Sequence, residues 1–187
     1  TAVATVNNAG VVTGVNPGTT TITYTNNNGC SATVTISVNA VPTITGATSV
    51  CVGSTITLTG SGTPAATTPW TSSNTAIATV TNAGVVTGVA AGTVTITYTN
   101  NSGCSTTTTI TVNAKPTITG PTAVCDNATI TLTGSGTPAA TTPWTSSNTA
   151  VATVNNAGVV TGVAAGTATI TYTNNNGCTA TVTITVN

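Results

Sequence analysis

Apolar residues along this chain alternate with threonine in short bursts, and glycine- and asparagine-rich turns separate the bursts. Across residues 93–99, Val94, Ile96 and Tyr98 fall on one face and Thr95, Thr97 and Thr99 on the other. That is the period of two expected of a half-buried strand. Read this way, residues 40–113 predict seven strands: 43–52 with a break near Gly46, 55–59, one opened by Trp70, 76–80, 85–87, 93–99 and 104–112. Turn signals lie between them at Gly60-Ser61-Gly62, Ser72-Ser73-Asn74, Asn82-Ala83-Gly84, Ala91-Gly92 and Asn100-Asn101-Ser102-Gly103. No stretch carries helical periodicity. The fold class is therefore all-β, as tandem immunoglobulin-like antiparallel sandwiches of about seven strands each.

The pattern repeats every 74 residues: Cys30, Cys104 and Cys178 keep that spacing, as do Tyr24, Tyr98 and Tyr172. Cys51 and Cys125, and Trp70 and Trp144, follow the same rule. Residues 55–76 recur unchanged as 129–150. Repeats of this kind define the units: modules at 40–113 and 114–187, preceded at 1–39 by the C-terminal half of a third. A half sandwich cannot bury its inner face, so we expect residues 1–39 to be completed from outside this chain. The sequence opens at Thr1 with no leader pattern, and we read it as a mature or excerpted segment.

From Trp70 the chain reads WTSSNTAIATVTNAGVVTGVAAGTVTITYT, which resembles the group 2 bacterial immunoglobulin-like domain. The matching features are Trp70, the turn Ser72-Ser73-Asn74, Ala78-Thr79-Val80, Gly84-Val85-Val86-Thr87-Gly88 and Gly92-Thr93-Val94-Thr95-Ile96-Thr97. They recur in 144–171 and, without the Trp, in 1–23. The resemblance implies tandem modules of bacterial surface proteins, commonly adhesin stalks and large secreted proteins. The cysteine contexts Val50-Cys51-Val52-Gly53 and Gly103-Cys104-Ser105 look like repeats in large surface proteins of the Bacteroidetes type.

Composition narrows the function. The chain has one Lys or Arg, one Asp or Glu, and no His, Met or Phe; the charged residues are Lys115 and Asp126. Threonine makes up about a quarter of the chain or more, against ordinary usage dominated by Leu, Ala and Gly. General acid–base catalysis needs positioned titratable groups, and none can be assembled, so we expect no enzyme and no catalytic residue. Calcium takes six to eight oxygen ligands, usually several of them carboxylates; we expect no metal and no cofactor. Without basic residues there is no phosphate-driven nucleic-acid binding, and no apolar run reaches the ~20 residues of a membrane span. A near-zero net charge favours association, which points to a sugar-coated surface or an assembled solid.

Five cysteines in a loop-rich β protein fit an oxidising, extracytoplasmic compartment. Zinc lacks a Cys-x-x-Cys pair, and a nucleophilic thiol lacks a basic partner beyond Lys115. Disulfides remain. Within a module, Cys51 would pair with Cys104 and Cys125 with Cys178, each closing a loop of about 50 residues and contributing ~3–4 kcal/mol in the chain-entropy model. Cys30 would then have no partner in this segment. The alternative sets Cys51 at one pole of its module and Cys178 at the facing pole of the next, so that the bonds staple modules together; sequence does not fix connectivity.

Trp70 and Trp144 read as the large core residue of each sandwich, against stacking on carbohydrate. The Thr-x-Thr rows read as a polar outer face, because a twisted sheet lacks the flat lattice that ice binding needs. Asn100 and Asn127 head N-glycosylation sequons, and the exposed Ser and Thr offer O-linked sites. Together these features predict a non-catalytic structural repeat segment of an extracellular fibre or filament, assembled end to end and glycosylated. The alternative is a passive spacer in a long cell-surface adhesin whose binding domain lies elsewhere. Expected partners are further copies in a linear fibre or neighbouring modules of the same polypeptide.

Overall fold

The computed structural model describes residues 2–187. The described residues form strands and turns only, and no helix is long and apolar enough to cross a membrane. The N-terminal unit contains β1 (Ala4–Val6), β2 (Val12–Gly14), β3 (Gly18–Thr25) and β4 (Ser31–Val38). The central unit contains β5 (Ile44–Thr45), β6 (Ser49–Cys51), β7 (Thr55–Thr57), β8 (Thr59–Gly60), β9 (Trp70–Ser72), β10 (Ala78–Val80), β11 (Val85–Gly88), β12 (Gly92–Thr99) and β13 (Ser105–Asn113). The C-terminal unit repeats that order as β14 (Ile118–Thr119), β15 (Ala123–Val124), β16 (Thr129–Thr131), β17 (Thr133–Gly134), β18 (Trp144–Ser146), β19 (Ala152–Val154), β20 (Val159–Gly162), β21 (Gly166–Thr173) and β22 (Thr179–Val186).

Two sheets face each other in the central unit. One has the order β10-β11-β7 and the other β6-β13-β12-β9, with a small β5–β8 pair beside them. The strand pairings are antiparallel except that of β6, which runs parallel to the end of β13 and sets Cys51 opposite Asn113; the following Val52 makes a parallel bridge to Gly88. The C-terminal unit has the same arrangement. The predicted alternation is realised in β12, where Val94, Ile96 and Tyr98 are buried against Leu58, Trp70, Val86 and Ile110. The outer faces of β12 and β13 carry the register pairs Thr93–Thr111, Thr95–Thr109 and Thr97–Thr107. Cross-strand pairs of this type add about 0.2–1 kcal/mol each.

Two predicted strands are each divided in the structure. The first breaks at Gly46, whose φ of +136° suits glycine alone; a Cβ there would stand 2.8 Å from the Thr57 carbonyl oxygen. The second breaks at Leu58, which is buried and donates its N–H to the Gly84 carbonyl at 2.8 Å, one step beyond the Thr57–Val85 pair; past it the chain leaves β11 and pairs with β5 as β8. The predicted strand at 76–80 begins later, at Ala78, because Asn74 holds the preceding turn. Its Oδ1 accepts from the Ala76 N–H at 3.0 Å, and its carbonyl accepts from Ile77 and Ala78.

The hairpin tips share one device. In the β12–β13 tip, Asn100 Oδ1 accepts from the N–H groups of Ser102 and Cys104 at 3.1 and 3.0 Å, and Gly103 takes φ +78°. Asn26 and Asn174 hold the β3–β4 and β21–β22 tips in the same way. An Asn that caps its own turn, followed by a left-handed Gly, closes a short hairpin loop without help from the rest of the sandwich.

Candidate functional site

Chemistry in this chain is confined to its cysteines, a few aromatics and the ends of the sandwiches. Among the described residues no group of three or more His, Cys, Asp or Glu side chains comes together to hold a metal. Trp70 opens β9 and is 6% exposed. Its ring lies 4.6 Å from that of Tyr98 in a tilted stack, and Trp144 stands 4.7 Å from Tyr172. The Tyr98 hydroxyl donates to the Gly62 carbonyl at 3.4 Å, and the ring covers Gly60, where a Cβ would overlap it. Both tryptophans thus fill core space beneath the turns, leaving no ring face free for a sugar.

Strand direction decides the cysteines. Cys51 ends β6, opposite Asn113 at the far end of β13, whereas Cys104 precedes Ser105 at the near end. Nine strand residues separate the two positions, a distance of about 30 Å at the usual rise. Disulfide-bonded residues need Cα atoms within about 7 Å, so the pairing of Cys51 with Cys104 is not formed, and the same polarity keeps Cys125 from Cys178. The structure joins Cys51 to Cys178 instead, with Cα atoms 5.6 Å apart and a sequence separation of 127. The bond connects the C-terminal pole of the central sandwich to the N-terminal pole of the next. Cys30, Cys104 and Cys125 are free thiols, of which Cys30 and Cys125 are exposed.

The bonded junction is a built contact. Cys178 is 1% exposed there, and Val52, Gly53, Ser54, Lys115, Gly177 and Thr179 line a small recess around the sulfurs. Gly88 makes room for it, since a Cβ would stand 2.7 Å from the Cys51 carbonyl oxygen and 2.9 Å from Val112. Lys115 therefore belongs to the linker at this junction. Asp126 follows Cys125 at the opposite, unbonded pole, where Val52 follows Cys51.

The sequons part company. Asn100 is buried, at 8% exposure; besides holding its turn, its Nδ2 donates to the Ala40 carbonyl at 3.3 Å. The Asn100 amide is thus engaged on both its oxygen and its nitrogen inside the folded tip. Asn127 is exposed, in a left-handed turn with φ +58°.

The N-terminal unit is open. Its β3 pairs only with β4, and β1 only with β2, among the described residues. Tyr24 is 70% exposed, whereas Tyr98 and Tyr172, at the same repeat position, are 2% exposed. Val6, Val12 and Val34 are likewise exposed. Val6, Ile22 and Tyr24 line a cleft between the two hairpins. In the central unit the equivalent faces are covered by β6, β7 and β9: Val50 beside Val112, Ile56 beside Val86 and Trp70 beside Tyr98.

The model of the bacterial Ig-like domain (group 2) matches residues 34–112 and again 107–186. No curated protein matches the chain in sequence. Among solved structures, similarity is found to an intimin mutant of EHEC O157:H7, at 24% identity over 38% of this chain and 45% of that one, with a TM-score of 0.33. The S-layer protein rSbsC(31-844) is 20% identical over 98% of this chain and 37% of that one, with a TM-score of 0.35. Invasin, a bacterial integrin-binding protein, is 20% identical over 94% of this chain and 46% of that one, with a TM-score of 0.48. The chain spans less than half the length of each of these three chains.

Proposed function

The chain belongs to the bacterial Ig-like domain (group 2) family, and on that premise we propose that it is a non-catalytic structural segment of an extracellular fibre, built by end-to-end association of its sandwiches. The observation that carries this reading is the Cys51–Cys178 bond. A disulfide inside each sandwich would stabilise single modules. A disulfide across the junction instead fixes consecutive modules in line, which is useful where length and direction have to be maintained.

Two further observations support it. The exposed inner face around Tyr24 and Val34 is apolar surface of the kind that marks interaction sites. Strand edges are ordinarily guarded by charge, and this chain offers one Lys and one Asp for the purpose. Glycosylation belongs to the same proposal, through Asn127 and the threonines of the outer faces. The spacer reading rests on the near-identity of the two complete units, each adding a similar length to a stalk.

Negative-stain electron microscopy of the purified protein separates the two. Straight fibres with an axial repeat set by the sandwiches support the fibre. Isolated strings that never associate, even at high concentration, would remove it and leave the spacer.

A further inference from the structure

The formed disulfide defines a rule: the cysteine near the start of one unit bonds the late cysteine of the next, pole to pole. Applied along the repeat, the rule gives each free thiol a role. Cys125 occupies the position of Cys51 at the C-terminal pole of the last sandwich, and Cys30 the position of Cys178 at the N-terminal pole of the first unit. We propose that Cys125 of one chain and Cys30 of a second copy form the same junction disulfide, linking chains head to tail. This rests on the end-to-end reading above and names the bond that would make it covalent.

The backbone of both half-sites matches the formed junction. At Cys125 the carbonyl accepts from the Ala128 N–H at 3.1 Å, as the Cys51 carbonyl does from Ser54 at 3.0 Å. The following residue donates its N–H to the last strand in each case, Asp126 to Asn187 at 3.1 Å and Val52 to Asn113 at 2.9 Å. Gly162 leaves room beneath the Cys125 carbonyl, as Gly88 does beneath Cys51. At Cys30 the tip is held by Asn26, whose N–H donates to the Cys30 carbonyl at 2.9 Å; Asn174 does the same to Cys178 at 3.0 Å. Asn26 Oδ1 accepts from the Cys30 N–H at 2.9 Å, as Asn174 Oδ1 does from Cys178. The β3–β4 hairpin alone builds this tip, so the half-site exists although the rest of its sandwich is open.

Nothing at the two poles opposes contact. The tip Gly29-Cys30-Ser31 is uncharged and no larger than Gly177-Cys178-Thr179, and Asp126 is the sole charged side chain at the other pole. Both thiols are exposed, whereas Cys178, its junction formed, is buried. Under the rule Cys104 would pair with an early cysteine of the preceding unit, and residues 1–39 carry only the late Cys30, so no pairing between copies is assigned to it. Each junction uses one thiol from either chain and leaves one at each end, so the product is an open linear series.

Bond formation requires a disulfide oxidant, for which oxidised glutathione serves. The Cys30 thiolate attacks one glutathione sulfur and expels a glutathione thiolate. The Cys125 thiolate of the other chain then attacks the Cys30 sulfur of that mixed disulfide and expels the second. Two protein thiols lose two protons and two electrons, and one glutathione disulfide becomes two thiols.

The test is oxidation of the concentrated chain with oxidised glutathione, alkylation, and electrophoresis under denaturing, non-reducing conditions. The expected result is a ladder at multiples of the 17.9 kDa chain. Cys30→Ser and Cys125→Ser should each abolish the ladder, and their equimolar mixture should stop at a dimer. Cys104→Ser should leave it intact. A ladder that survives Cys125→Ser, or one lost in Cys104→Ser, overturns the assignment, as does the absence of any ladder. Sedimentation under reducing conditions separates the two ideas. If large particles persist there while no ladder forms on oxidation, the bond is refuted and end-to-end association stands; if neither is seen, both fall.

Discussion

Trp70→Ala would open a void against Tyr98 and Leu58 in the central core, and truncations of this size cost about 3–5 kcal/mol. Urea unfolding should then proceed in two steps. The C-terminal sandwich, reported by the fluorescence of Trp144, should melt where it does in the unaltered protein. The repeat also supplies a sharper comparison. Tyr24 and Tyr98 are equivalent in sequence, yet one is exposed and the other buried with its hydroxyl bonded to Gly62. Tyr98→Ala should cost about 3–5 kcal/mol, and Tyr24→Ala no more than about 0.5 kcal/mol, as befits an exposed side chain. Equal losses would mean that the first unit is closed in solution.

The hairpin is the element that carries most of the organisation. Each long hairpin is stabilised from both ends, by Thr–Thr register pairs along its outer face and by an Asn-capped turn at its tip. Because Cys178 sits in that turn, tip geometry and junction geometry are coupled. Asn174→Ala removes acceptors for the N–H groups of Asn176 and Cys178, a loss of about 1–3 kcal/mol where the donors stay buried. We expect it also to make the Cys51–Cys178 bond more easily reduced. Titration with dithiothreitol, followed by alkylation and mass measurement, checks this against Asn100→Ala, which removes the same cap from the β12–β13 tip, where Cys104 is free.

For the whole molecule the junction matters more than either core. The central and C-terminal sandwiches each have a complete core of their own, Val50 to Val112 in one and Val124 to Val186 in the other. Between them run a short linker and the disulfide. Cys178→Ser should therefore leave each sandwich folded and free the angle between them. Small-angle scattering should show a broader distribution of end-to-end distances for the variant, with an unchanged circular dichroism spectrum. An unchanged distance distribution would mean that the recess around Val52 and Lys115 holds the junction without the bond.

Local sequence determined the strands, their inward faces, the turns and the repeat, because alternation, β-branching and Asn/Gly turn chemistry act over a few residues. It also marked Trp70 and Trp144, the largest side chain in each core. It marked the break at Gly46 but not the one at Leu58, because there the chain passes from pairing with β11 to pairing with β5, and both partners are distant in sequence. It marked Asn100 as a sequon, but burial by the turn and by Ala40 is a property of the folded tip. The cysteine pairing was likewise left open between two schemes. Only the parallel docking of β6 on the end of β13 decided it, by sending Cys51 to one pole and Cys104 to the other, a strand's length apart.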